Sequence, residues 1–152
     1  MIQRIQTLYL LVVAALMACT LFLPIAHFVT ETGTSHTLYA FSFEGVVGST
    51  WVLGLVLALA TALPLVTIFL FKLRKIQVGL CAAEVVLLLG ALAFIGIYYW
   101  AIMPEVFASV GIATKSFGWA AILPLLAIIP TLLAARAIFK DEILVRSLDR
   151  IR

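Results

Sequence analysis

Long apolar segments alternate with short polar ones along the chain. Four segments, at about residues 7–28, 50–71, 76–103 and 117–138, are long enough to cross a hydrocarbon layer as helices, which takes about 20 residues each. They are continuous and rich in leucine and alanine, whereas strands of a membrane barrel alternate apolar and polar residues. The pattern predicts an all-α transmembrane four-helix bundle, in which residues 1–152 form a single integral membrane domain.

Composition supports this interpretation. Of the 152 residues, 65% are hydrophobic and 11% are charged, whereas a soluble domain is about 45–50% apolar and about 25% charged. These values exclude a water-soluble fold and a disordered chain. With only two cysteines, the chain also does not fit a disulfide-rich secreted module.

The basic residues predict the orientation of the spans. Of the ten, only Lys115 lies on the side that contains the loop between helices 1 and 2; the other nine lie before helix 1, between helices 2 and 3, or after helix 4. Cytoplasmic segments retain Lys and Arg, so both termini are predicted to be cytoplasmic in a multi-pass protein. The three tryptophans, Trp51, Trp100 and Trp119, fall at the opposite, outer ends of the helices, where amphipathic rings suit the headgroup layer. No basic groove indicates a nucleic-acid partner.

Two segments outside the spans have their own patterns. Residues 27–43 carry β-branched and aromatic residues on both sides of a Gly33-Thr34-Ser35 turn, which predicts a small extracytoplasmic β-hairpin between helices 1 and 2. Residues 139–152 repeat apolar side chains at helical spacing and predict a cytoplasmic amphipathic tail. This tail either lies on the inner leaflet or docks on a partner.

The N-terminal segment has a second interpretation. Leu16-Met17-Ala18-Cys19 resembles a lipoprotein cleavage site that follows an apolar run. However, the residues after Cys19 stay apolar through Ile25 and complete a full span. We therefore expect helix 1 to be retained.

The two halves of the chain resemble one another. Arg4-Ile5-Gln6 opens helix 1 and Lys75-Ile76-Gln77 opens helix 3, while helices 2 and 4 each run from a tryptophan to a lysine 21 positions later. The pattern fits a duplicated two-helix unit. It equally fits two unrelated helix hairpins, since basic inner ends and aromatic outer ends are common to such hairpins.

Glu84 is the only acidic residue inside a predicted span. An ionised carboxylate at this depth is costly unless it is paired, hydrated or neutralised, so it marks a possible intramembrane polar site. We expect its partners among Tyr9, Thr67 and Arg136, with Thr61 as a further candidate. The site either couples proton or cation movement, or holds helices 3 and 4 in register through a Glu84–Arg136 pair.

No catalytic, cofactor-binding or metal-ligating set is predicted. Cys19 and Cys81 are expected at depths about 13 Å apart, too far for a disulfide. The histidines and acids on the outer side lack the spacing of metal ligands. We expect no cofactor and no enzymatic activity.

Three segments carry a family resemblance. They are MIQRIQT at residues 1–7, FKLRKIQ at 71–77 and RAIFKDE at 136–142. Together they resemble a Bacteroidetes family of small four-span membrane proteins of unknown function, DUF4293. The resemblance covers essentially the whole chain and implies a protein of the bacterial inner membrane, without implying an activity.

The sequence favours a non-enzymatic accessory or scaffold subunit of a membrane assembly. Its expected partners are the lipid bilayer and either another membrane protein or further copies of this chain. A small proton- or cation-coupled transporter that uses Glu84 is the first alternative. A lipid- or quinone-binding protein, with an apolar crevice between helices 2 and 4, is the second.

Overall fold

The computed structural model describes residues 2–43, 50–71 and 73–149. Its helices are α1 (Ile2–Phe22), α2 (Trp51–Phe69), α3 (Arg74–Ile97), the one-turn α4 (Met103–Val106) and α5 (Leu123–Asp149). A π-helical segment (Tyr98–Ile102) joins α3 to α4, and a 3-10 turn (Trp119–Ile122) precedes α5. The strands are β1 (Ala26–Thr30), β2 (Ser35–Leu38) and β3 (Ile112–Phe117).

The four long helical segments confirm the mostly helical architecture. Segments Ile5–Phe22, Trp51–Phe69, Ile76–Val106 and Trp119–Leu144 are each long and apolar enough to cross a membrane. Within an 18-residue stretch of each segment, only 28–33% of the residues are buried inside the molecule. Many large apolar side chains are exposed on the outer faces of these helices, which suggests a multi-pass membrane protein.

The long helices form a four-membered ring. Helix α1 packs on α2 and α5, and α3 packs on the same two helices. Small residues such as Ala60, Ala91 and Ala127 lie fully buried in the interior and let the backbones approach closely. We call the end at which α1 and α3 begin the basic end, and the opposite end the sheet end.

The small sheet has three strands, in the order β2-β1-β3, with both pairs antiparallel. The sequence predicts a two-stranded hairpin, with residues 112–117 in a loop and at the start of helix 4. Gly111, at φ 75°, turns the chain into β3. At Gly118 a Cβ atom would clash with the backbone of Pro24 and Ile25, so a glycine is needed there.

Three helix boundaries differ from the predicted ones. Helix α1 ends at Phe22 instead of residue 28, because Pro24 lacks the backbone donor that would continue it. The predicted tail at 139–152 is not a separate helix: α5 continues through 138 to Asp149, and residues 150–152 lie outside the described part of the chain. Helix α5 begins at Leu123, later than the predicted residue 117.

The π-helical segment changes which side chains of the third apolar segment, Ile76–Val106, point inward. The backbone N–H of Met103 donates to the carbonyl of Tyr98, five residues earlier. This widening places Ile95, Tyr99, Met103 and Phe107 inward at every fourth residue, and all four are buried. The third span therefore carries large side chains up to the sheet.

Aromatic rings fill the space between the sheet and the bundle. The ring of Phe28 on β1 is buried against Tyr99 and Phe107, with centroids 5.6 and 6.3 Å away. Phe117 on β3 stacks on Tyr99 at 3.8 Å. The Nζ atom of Lys115 lies 5.2 Å from the centroid of the same Tyr99 ring. These contacts pack the sheet against the sheet end of the helices.

Candidate functional site

Glu84 lies inside the bundle on α3. Its side chain is 1% exposed, and neither carboxylate oxygen has a hydrogen-bond partner among the described residues. Buried polar groups in proteins are nearly always hydrogen-bonded, and a buried charge is normally paired as well. The unsatisfied carboxyl is therefore the strongest indication of a site within the bundle.

Two contacts show which residues on different helices lie at the same level, that is, at the same height along the axis of the bundle. The side-chain amide of Gln77 donates to the carbonyl of Thr67 at 2.8 Å, which aligns α3 with α2. Leu10, Cys81 and Ala134 belong to one buried cluster, which aligns α1, α3 and α5 at a single level. The level of any core residue can then be counted along the antiparallel helices.

Buried residues on the other three helices lie at the level of Glu84. Toward the sheet end, Glu84 lies one heptad after Gln77 and about one turn after Cys81. The same steps along the other helices lead from Thr67 to Ala60 on α2, from Leu10 to Val13 on α1 and from Ala134 to Thr131 on α5, and all three of these positions are buried. Thr131 is the one polar residue of the three, and its hydroxyl donates to the carbonyl of Ala127 at 2.8 Å. The buried residues at the level of Glu84 on the other three helices are therefore small, and the hydroxyl of Thr131 is already bonded to its own helix.

The two sides of Glu84 differ in polarity. Toward the basic end, the buried residues include Gln6, Gln77 and Thr67, and the side-chain nitrogen of Gln6 also has no partner among the described residues. Toward the sheet end, the core is apolar for about two turns, starting with Met17, Leu57, Leu88 and Ala127, all fully buried. The buried glutamines Gln6 and Gln77 thus lie on the basic side of Glu84, while buried Thr20, whose hydroxyl donates to the carbonyl of Leu16 at 3.0 Å, lies about two turns toward the sheet end.

None of the predicted partners hydrogen-bonds to Glu84. The Thr67 hydroxyl donates to Leu63 of its own helix at 2.8 Å, about 10 Å from the level of Glu84 toward the basic end. The Thr61 hydroxyl bonds in the same way to Leu57. Arg136 is exposed, and neither it nor Tyr9 hydrogen-bonds to the Glu84 carboxylate.

Tyr9 and Arg136 instead meet at a surface groove between α1 and α5. The groove has a volume of about 600 Å³ and lies at the basic end. Ile5 and Tyr9 line it from α1, and Leu133, Arg136 and Lys140 line it from α5. The structure therefore does not bring the four predicted site residues together. Glu84 is buried in the bundle, Thr67 bonds to its own helix, and Tyr9 and Arg136 line the groove.

Sequence reasoning did not select Gln77, Thr131 or Lys140. Heptad spacing was the available signal, because Gln77, Cys81, Glu84 and Leu88 fall on one face of α3. The same spacing on α5 places Ala127, Thr131 and Ala134 inward. Lys140 could be recognised only with the groove, which two helices distant in sequence form together.

The sequence matches a domain of unknown function, DUF4293, over residues 2–151. The chain belongs to the DUF4293 family. This confirms the family indicated by the terminal and central motifs. Among proteins with curated descriptions, none matches this DUF4293 chain.

Proposed function

We propose that this DUF4293 protein is a non-enzymatic, multi-pass protein of the bacterial inner membrane that acts as an accessory or scaffold subunit of a membrane assembly. The observation that supports this proposal is the difference between the packed interior and the apolar outer surface of the helices. The described core between Glu84 and the sheet consists largely of apolar side chains, while large apolar residues such as Leu8, Leu59 and Val86 are at least half exposed on the outside.

The filled interior supports this role over transport through the bundle. A solute path needs polar groups or water along its length. Here the core between Glu84 and the sheet presents Met17, Leu57 and Leu88, all fully buried. Specific contacts are then made by the outer surfaces of the helices, where small and large apolar residues can pack on another spanning protein.

Site-specific photo-crosslinking in living cells tests the proposal. A photoreactive phenylalanine analogue would replace one outward residue on each long helix, at Leu8, Leu59, Val86 and Leu132, with buried Leu88 as the matched control. We expect one helix to give a strong crosslink to a defined membrane polypeptide, or to a second copy of this chain, and Leu88 to give none. Crosslinks to lipid alone at all four outward positions would contradict the proposal.

Glu84 supports a second candidate function. An unsatisfied carboxyl with the buried glutamines Gln6 and Gln77 on its basic side is suited to bind a proton or a cation from that end. In this alternative the protein couples proton or cation movement, with the apolar layers toward the sheet opening transiently.

Proteoliposomes that contain a pH-sensitive dye test this alternative. Glu84→Gln would abolish proton flux if the carboxyl carries it, whereas Glu105→Gln, at an exposed acid near the sheet end, would leave the flux unchanged. Equal flux in vesicles with the wild-type protein, with Glu84→Gln and without protein would exclude it.

A further inference from the structure

We propose that the groove between α1 and α5 at the basic end binds one anionic phospholipid, with the headgroup phosphate on Arg136 and Lys140. The inference rests on the membrane insertion proposed above and is independent of any protein partner. The bound ligand class is a glycerophospholipid with net negative charge.

The groove follows from helical spacing on both of its walls. Leu133, Arg136, Lys140 and Ile143 repeat every three or four residues on α5, so they share one face. Opposite them, Ile5 and Tyr9 are one turn apart on α1. At about 600 Å³ the groove is large enough for a phosphoglycerol headgroup and the first carbons of its chains.

The two cations lie near the edge that α5 reaches after crossing a hydrocarbon core. Counted at 1.5 Å per residue from Trp119, Arg136 lies about 26 Å and Lys140 about 32 Å along the helix, on either side of a core thickness of about 30 Å. A phosphate at the interface can therefore contact both side chains while the acyl chains extend into the membrane.

Charge and polarity favour an anionic lipid over a neutral one. Arg136 and Lys140 are both exposed and both line the groove, and no acidic residue is among the described side chains that line it. A guanidinium presents paired donors that match phosphate oxygens, and the ammonium of Lys140 and the phenol of Tyr9 add further donors. Ile5, Leu133 and Ile143 supply an apolar wall for the chains.

Native mass spectrometry of the detergent-solubilised protein tests the proposal directly. Dioleoyl phosphatidylglycerol and dioleoyl phosphatidylcholine would be titrated separately, and the lipid-bound and lipid-free protein counted. Each cation near an anionic lipid raises the affinity about fivefold. With two cations in the groove, we expect phosphatidylglycerol to bind on the order of 30-fold more tightly than phosphatidylcholine. Equal binding of the two lipids would overturn the proposal.

Variants locate the preference within the groove. Arg136→Gln/Lys140→Gln removes both charges from exposed positions and should abolish the preference, while Arg136→Lys/Lys140→Arg should keep most of it. The matched control is Lys115→Gln, an exposed cation at the sheet end, which should retain the full preference. A wild-type preference in the double glutamine variant would contradict the assignment.

Two further experiments distinguish a lipid in the groove from a free phosphate ion. Ala137→Phe would narrow the groove and should weaken binding of both lipids, because Ala137 lies half-buried in its lining. Inorganic phosphate at millimolar concentration should not displace phosphatidylglycerol, since it lacks the acyl chains. Full displacement by inorganic phosphate would overturn the lipid assignment in favour of a simple phosphate site.

Discussion

Glu84 occupies a core position whose counterpart at the same level of α1 is Val13. Both residues are buried, but only Glu84 brings two oxygens that lack hydrogen-bond partners in the described part of the chain. Burying such a group without a partner lowers the free energy of unfolding. A purely structural role therefore gives no reason for an acid at this position. We therefore expect the carboxyl to destabilise the bundle.

Replacing the carboxyl by an apolar group of similar size tests this point. Glu84→Met should raise the free energy of unfolding by about 1–3 kcal/mol, because it removes an unsatisfied polar group and keeps the volume. Unfolding in detergent micelles, followed by circular dichroism, measures the change. Leu88→Met, one turn away in the same core, is the control and should change stability by less than about 1.5 kcal/mol. A loss of stability in Glu84→Met would show that the carboxyl is paired in the folded protein.

Gly118 is a second residue whose identity the fold dictates. A Cβ atom at this position would clash with the carbonyl oxygen of Pro24, and the Gly118 N–H donates to the carbonyl of Ile25 at 2.8 Å. Gly118→Ala should therefore lower the free energy of unfolding by about 1–3 kcal/mol. Gly90→Ala, where the new methyl group meets no atom within 4 Å, should instead gain up to about 1 kcal/mol. Equal effects in thermal unfolding would contradict the close approach.

At the scale of elements, the third strand is the largest departure from the predicted fold. Its register with β1 pairs His27 with Ser116, and both residues are exposed. Pairing with β1 joins the loop that follows the third span to the loop that follows the first. The sheet thus links the two halves of the chain at the sheet end.

A cysteine crosslink tests that register. In a chain with Cys19→Ser and Cys81→Ala, the pair His27→Cys and Ser116→Cys should form a disulfide readily, since opposite Cα atoms in a ladder are about 4.5–5.5 Å apart. The shift in gel mobility on oxidation measures it. The matched pair His27→Cys and Ala113→Cys is about 10 Å out of register and should remain reduced. Crosslinking of the second pair alone would show a different register.

The four long helices could be predicted because an apolar run of sufficient length determines a spanning helix locally. Strand β3 could not, because Ile112–Phe117 is a short segment that becomes a strand only through non-local pairing with β1. The end of α5 was missed for a related reason: the pattern changes at residue 139 from spanning to amphipathic, while the helix continues.

The candidate site was predicted only in part. Glu84 stands out in the sequence as an acid within an apolar run, so its burial could be anticipated. Its surroundings could not, because the inward face of α5 is set by packing against α1 and α3. That packing turns Thr131 inward and leaves Arg136 exposed in the groove beside Tyr9.

At the scale of the whole molecule, the helix ring has an approximate two-fold arrangement. Exchanging α1 with α3 and α2 with α5 preserves the neighbours of every helix. Buried Gln6 then corresponds to buried Gln77, and Thr20 to Ala91. This arrangement is consistent with a duplicated helix pair whose axis lies along the membrane normal. The same correspondence matches Glu84 to Val13, so the buried carboxyl breaks the symmetry.

The central claim is that the four helices cross a membrane, with the basic end in the cytosol and the sheet on the opposite side. Alkaline phosphatase, which is active only after export, tests it most directly when inserted after Gly33 in the β1–β2 turn and, separately, fused after Arg152. We expect high activity from the insertion at Gly33 and none from the fusion at Arg152. An active enzyme after Arg152, or an inactive one at Gly33, would contradict the claim.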